Sequence, residues 1–278
     1  MPMRDIILQM NSYPEPPPSW ALEASISLAQ SHGAKLSVGV CKVHIPPLSN
    51  WLANTLINAD GMIAGENLKS SKNAKMLVSQ FSSNVGDDLA GEAMVVECPG
   101  MVTHWQLAAK ARAYDLIIVP IYGQKDAIAM VEGLVFEAGR PVLLVPERNG
   151  VSLRFDQVVI GWDGSRAAAR ALSDALSFCR AAKKVTVASV SNEKDLSKAV
   201  PIPDIVRHLA RHDIAADTIE IPANGSDAGR ALQSYCESSG SDLLIMGAYG
   251  HSRVREFVLG GATRSVIEDP KLPIFLSH

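Results

Sequence analysis

The chain has 278 residues, 47% of them hydrophobic and 20% charged, a balance that excludes a disordered or collagen-like polypeptide. Its net charge of −3 falls in residues 1–150, with 11 Lys+Arg against 14 Asp+Glu there and 15 of each beyond, and neither balance is that of a dedicated nucleic-acid binder. No apolar run approaches the roughly 20 residues that cross a bilayer, and Met1–Asp5 leads into no secretory signal, so a soluble, cytoplasmic chain of two domains is expected.

In chain order, Asp5-Ile-Ile-Leu-Gln-Met10 predicts a strand, followed by turn residues and a helical pattern over Ser19–Ser31. Leu36–Cys41 predicts a second strand. Pro46–Gly65 then runs irregularly around Trp51 and is readable as a lid, an interface segment or an ordered insertion. Ala93–Glu97, Tyr114–Gly123 and the Pro-led run Pro141–Val145 supply three further strands. After a polar linker, Glu147–Ser152, the same succession returns: Gln157–Gly161, a helical stretch over Ser165–Ala182, Val185–Val190, Thr218–Ile221, Ser241–Gly250 and Pro273–Leu276.

The match between the halves is clearest at the fourth strand, where Tyr114-Asp-Leu-Ile-Ile-Val-Pro-Ile-Tyr-Gly123 lies over Ser241-Asp-Leu-Leu-Ile-Met-Gly-Ala-Tyr-Gly250. Five such pairs in the same order read as a duplication. Ala168, Ala171, Leu172, Ala175, Leu176 and Cys179 follow the spacing of a helix with one buried face, as do Ala228, Ala231, Leu232 and Tyr235. The strands are continuous apolar runs, the mark of parallel strands covered on both faces. The expected fold class is therefore α/β, with two doubly wound parallel-sheet domains over residues 1–148 and 153–278. Cys41, Cys98, Cys179 and Cys236 have no C-x-x-C spacing and are expected as reduced thiols.

The residues that could carry chemistry follow the fourth strand of the second half: Gly247-Ala-Tyr-Gly250-His251-Ser-Arg253, then Gly260-Gly261-Ala262-Thr263 opening a helix. Ligands of doubly wound sheets bind at the carboxyl ends of strands where the order reverses. Glycines there admit a phosphate to the backbone, and a helix start offers free N–H groups. The competing reading is that these glycines make a tight turn and let segments pack. Gly161-Trp162-Asp163-Gly-Ser165 ends the adjacent first strand, and Asp163 is a candidate acceptor for a ribose or a base. Ser165 fits the N-cap of the next helix better by position.

In these residues the sequence resembles the universal stress protein family in its tandem two-domain form. Nucleotide-binding members carry G-x2-G-x9-G-[S/T] after the fourth strand. Gly247, Gly250 and Gly260 match that spacing, while Gly261 stands at the hydroxyl position and Thr263 lies two residues on. The resemblance implies a 3-2-1-4-5 strand order and pairing of the two final strands into an intramolecular pseudo-dimer. It also implies ATP, AMP or ADP as ligand, with or without magnesium. Asp163 would contact the adenosine part, beside Gly161 and Trp162, and the backbone at Val190 would meet the adenine. Gly250, His251, Arg253, Gly260, Gly261, Ala262 and Thr263 would surround the phosphates.

The first half departs from that pattern. Pro120 replaces the first glycine, Asn11-Ser12-Tyr13 and Pro14–Pro18 stand where Asp163–Ser165 stand, and Gly123 and Gly133 keep their offset before the apolar Leu134, Val135 and Phe136. A structural partner for the second half is the expectation there. His208 and His212 share a helix face without an evident third metal ligand. Met94, Trp105 and Met246 read as core or half-buried residues, and Arg253 and Arg255 as a solvated loop. Nothing in the sequence supplies a matched acid, base and orienting group. The expectation is a stress-linked nucleotide-binding protein with no nucleic acid or membrane partner, with unidentified protein partners and homodimerisation left open. A slow ATPase or phosphotransferase and a nucleotide-free scaffold are the alternatives.

Overall fold

The computed structural model describes residues 3–47, 58–123, 127–147, 152–191, 200–249 and 261–278. The first half runs β1 (Asp5–Asn11), α1 (Ser19–His32), β2 (Lys35–His44), α2 (Ala59–Asn84), β3 (Ala90–Pro99), α3 (Trp105–Ala111), β4 (Leu116–Ile121), α4 (Ala127–Glu137) and β5 (Val142–Pro146). The second runs β6 (Gln157–Gly161), α5 (Arg166–Asp174), α6 (Leu176–Ala181), β7 (Lys184–Ser191), α7 (Ile202–Ala210), β8 (Asp217–Pro222), α8 (Ala228–Ser239), β9 (Leu243–Gly247), α9 (Gly261–Glu268) and β10 (Ile274–Ser277).

All ten strands form one sheet in the order β3-β2-β1-β4-β5-β10-β9-β6-β7-β8. Each half therefore has the expected 3-2-1-4-5 order. Every neighbouring pair is parallel except β5 and β10, which meet antiparallel with Phe275 opposite Leu143. Each final strand would be an exposed edge in an isolated half, and their pairing covers both.

Because side chains alternate along a strand, each strand feeds two cores. Ile6, Leu8 and Met10 of β1 and Val158, Ile160 and Trp162 at β6 pack under α1, α2, α5, α6 and α7. Ile7 and Val159 face the opposite layer, under α3, α4, α8 and α9. Both layers run unbroken across the halves: Phe178 of α6 meets His32 of α1 with ring centroids 4.9 Å apart.

The duplicated Asp before the fourth strand has a structural cause. The Asp115 carboxylate accepts the backbone N–H groups of Arg4 and Asp5 at 2.7 and 3.0 Å, and Asp242 accepts those of Asp156 and Gln157 at 2.8 and 3.0 Å. In each half it ties the start of the fourth strand to the start of the first.

Four expectations need correction. Cys41 and Cys98 form a disulfide linking β2 to β3, where reduced thiols were expected; spacing in sequence carries no information on a pair set by strand register. Cys179 and Cys236 are free and buried. The irregular reading of Pro46–Gly65 fails at its end, because residues 59–65 open the 26-residue helix α2, whose Ser70, Ala74, Leu77 and Phe81 form a buried stripe; residues 48–57 lie outside the described residues. Trp105, expected half-buried, is 61% exposed at the start of α3. The predicted helix over Ser165–Ala182 is interrupted at Ala175, which separates α5 from α6.

A candidate nucleotide crevice in the second half

Strand β6 lies between β7 and β9. The helix after β6, α5, covers one face of the sheet, and the helix after β9, α9, covers the other. The chain thus departs in opposite directions from two adjacent parallel strands, which opens a crevice at their carboxyl ends.

On the β6 side, Asp163 Oδ1 accepts the N–H of Ser165 at 3.0 Å, closing a tight turn in which Gly164 has φ +71°. Ser165 Oγ then accepts the N–H of Ala168 at 3.0 Å and caps α5, the role its position predicts. Asp163 is half-buried at this strand end. Gly161 pairs with Ala188 of β7 and Met246 of β9. Val190, near the end of β7, is buried and pairs with Ile221. Trp162 goes elsewhere: its indole is buried in the core layer beneath α5, α6 and α7, and its N–H donates to Val200 O at 3.2 Å.

On the β9 side, a Cβ on Gly247 would lie 2.3 Å from Ala168 N and 2.4 Å from Ala167 C. That glycine is required by the first turn of α5 crossing the strand end. Ala248 is fully buried and its N–H donates to Ser277 O at 2.7 Å. Tyr249 takes a left-handed conformation, φ +55°, and its N–H donates to Thr263 Oγ1 at 3.1 Å. Thr263 is buried in the first turn of α9, behind Gly261 and the half-buried Ala262. Among the described residues, a Cβ on Gly261 would touch only Asp227 Cβ, at 3.5 Å. Gly250, His251, Arg253, Arg255 and Gly260 lie outside the described residues.

The first half treats the matching region differently. Asn11 and Cys41, partners across β1 and β2, stand at the register positions of Asp163 and Val190. Asn11 Oδ1 accepts from Gln9 Nε2, and the adjoining Ser12 lies against α2, with Ser12 Oγ 2.7 Å from Ser70 Oγ and Asn73 Nδ2 donating to Ser12 O at 2.9 Å. Gly133 has a packing role in the structure. It sits inside α4, where a Cβ would lie 2.0 Å from the ring of His104. Pro120 is an ordinary strand residue opposite Val145.

Sequence reasoning passed over one cluster. The Tyr249 hydroxyl donates to Glu132 Oε1 of α4 at 2.7 Å, and its ring packs on Phe136 with centroids 4.5 Å apart. Burial and the adjacent Glu132 carboxylate push the Tyr249 phenol well above its ordinary pKa. The x-Tyr-Gly repeat marked Tyr249, but a partner 117 residues away leaves no local signal. The rings of His208 and His212 pack edge to face at 4.8 Å, and no group of three or more His, Cys, Asp or Glu suited to a metal occurs among the described residues.

Ten strands, two 3-2-1-4-5 halves and a junction through the fifth strands define a tandem doubly wound α/β protein. Residues 154–278 match the model of the universal stress protein family. A 56-residue stretch is 38% identical to universal stress protein Slr1230 of Synechocystis sp. (strain ATCC 27184 / PCC 6803 / Kazusa), and the match covers a fifth of each chain. A universal stress protein from Archaeoglobus fulgidus DSM 4304 shares the fold over 98% of this chain and 95% of its own, with a TM-score of 0.69 at 17% identity. A universal stress protein solved in complex with cAMP aligns with 45% of this chain and 98% of its own, at 20% identity and a TM-score of 0.35. Sequence similarity to the universal stress protein family thus lies in residues 154–278. No helix among the described residues is long and apolar enough to cross a membrane.

Proposed function

We propose that the chain binds an adenine nucleotide, ATP or its AMP or ADP counterparts, with or without magnesium, in the crevice of the second half. Residues 153–278 would be the binding domain and residues 1–148 a partner domain with a degenerate site. The protein would act in a stress-linked regulatory or protective role in the cytoplasm, alone as a pseudo-dimer or as a homodimer, through protein partners not yet identified. The observation that carries this reading is the convergence, at the ends of two adjacent parallel strands, of the Asp163–Ser165 turn with the start of α9 at Gly261–Thr263. The first N–H groups of α9 have no partner within the helix, and its N-terminus favours an anion. Thr263 Oγ1 accepts from Tyr249 N and keeps its own proton for an acceptor such as a phosphate oxygen. Asp163 offers an acceptor to the sugar or base, and the small Gly161, Gly247 and Ala248 keep the strand ends low. In the first half, α2 and the Cys41–Cys98 disulfide border the matching positions, which supports a single site.

Calorimetric titration of ATP into nucleotide-stripped protein tests this, with a stoichiometry near one expected. Asp163→Ala is expected to weaken adenosine and ATP alike. Absence of binding leaves the scaffold reading; a stoichiometry near two refutes the single site. Phosphate release that Asp163→Ala abolishes would make the protein an ATPase rather than a binder.

A further inference from the structure

Residue Tyr249 is the last described residue before the glycine-rich segment, and it adopts a conformation that side-chain-bearing residues avoid, φ +55°. A non-glycine residue is strained there and needs surroundings that impose it. The surroundings come from both halves of the chain. From its own half, Thr263 Oγ1 accepts the Tyr249 N–H at 3.1 Å, and His278 Nδ1 lies 2.9 Å from Ala248 O. From the other half, Glu132 accepts the Tyr249 hydroxyl at 2.7 Å, and Phe136, one helical turn further along α4, packs between the rings of Tyr249 and His278 at 4.5 and 4.7 Å. Helices α4 and α9 also touch directly.

The first half builds its matching turn differently. In the first half the corresponding Tyr122 donates to Glu15 O, within its own half, at 3.3 Å. There the left-handed residue is Gly123, φ +46°, which needs no external restraint. The duplication therefore kept the tyrosine in both halves, while on the side of the candidate crevice it is the tyrosine itself that takes the strained conformation.

We propose that Glu132 is a positioning residue for the nucleotide site: the partner half, through the Glu132–Tyr249 hydrogen bond and the Phe136 ring, sets the backbone turn that presents Thr263 to phosphate. This rests on the nucleotide reading above and adds that affinity in the second half depends on a helix of the first. Glu132 touches no ligand in this scheme. It acts through Tyr249, and Tyr249 acts through its backbone link to Thr263. Loss of the tie lets the turn relax toward an ordinary φ and withdraws the Thr263 geometry. The phosphate end of a ligand would feel that change and the nucleoside end would not.

The test is titration of ATP and of adenosine, separately, into full-length wild type, Tyr249→Phe, Glu132→Ala and Glu132→Gln, with a thermal melt of each. Tyr249→Phe and Glu132→Ala are expected to weaken ATP about tenfold, within the range of coupling between sites in one protein, while adenosine changes less than about twofold. Glu132→Gln keeps an acceptor oxygen at the same reach and is expected to recover most of the loss. If wild type binds ATP and all variants bind it equally, the proposal is overturned, even where a melt moves. If ATP and adenosine weaken together, the tie is structural and the proposal also fails. If wild type binds no ATP, it is the nucleotide reading that fails.

Discussion

Replacing Gly247 with Ala tests whether this glycine serves close packing. The added methyl carbon would stand 2.3 Å from Ala168 N, 2.4 Å from Ala167 C and 2.9 Å from Ala167 Cβ, while ordinary contact begins at 3.4 Å. The first turn of α5 must therefore withdraw by about 1.1 Å, the difference between those distances, and backbone atoms cannot swing aside as a side chain would. Overpacking of a filled site costs typically about 1–3 kcal/mol, and a clash with backbone belongs at the upper end. For a chain of this size each kcal/mol lowers the melting temperature by roughly 2–4 °C, so at about 3 kcal/mol a drop of roughly 6–12 °C is expected. The assay is thermal unfolding followed by circular dichroism, repeated in urea to confirm that the slope is unchanged. Gly261→Ala is the control: among the described residues its Cβ would meet only Asp227 Cβ at 3.5 Å, so that variant should melt within a few degrees of wild type or slightly above it. If Gly247→Ala melts as wild type does, helix α5 does not pack on the strand end as described, and the argument for this glycine is refuted.

The four cysteines allow a simple count. In unreduced protein, a thiol reagent should find no rapidly reacting group in the native state and two after denaturation; four would refute the Cys41–Cys98 link. Burial pushes the Cys179 and Cys236 thiols up to about 12, above their unfolded value of 9.0. Since the folded state then holds its protons longer than the unfolded state, stability is intact below pH 9 and should fall above it, by about 1.4 kcal/mol per thiol per pH unit. Cys179→Ala with Cys236→Ala should flatten that alkaline slope in urea titrations. Asp242→Ala should cost about 1–3 kcal/mol because it strands two half-buried N–H groups. Asp115→Ala should cost less, since Arg4 and Asp5 are exposed and water can replace the carboxylate. Burial also raises the Asp242 pKa, so its carboxylate is held at a cost that grows as pH rises through the folded value. Asp242→Asn should therefore be milder than Asp242→Ala at neutral pH.

The strands were legible because a buried parallel strand is a local pattern, and the repeat presented each pattern twice; their order was implied only by the family resemblance. The cap at Ser165 was legible for the same reason: a side-chain oxygen bonding an N–H three residues on is written in consecutive residues. The family resemblance located the crevice, and the structure joined Asp163, Gly247 and Thr263 to it while sending Trp162 to the core layer beneath α5, α6 and α7. Gly133 shows where spacing misleads. Its offset from Gly123 imitates a phosphate motif, yet its missing side chain makes room for His104, a neighbour in space that no spacing rule reaches.

By itself, then, the sequence determined the class of each element, the duplication and the chemistry available at the strand ends. All of these depend on residues within a turn or a strand of one another. The tertiary structure alone decided which thiols pair, that two cores run continuously across the halves, and that Glu132 meets Tyr249. Each of those rests on strand register and helix placement, which bring together side chains 57 to 117 residues apart in the chain. Their contact follows from how the whole chain packs, and no neighbouring residue encodes it.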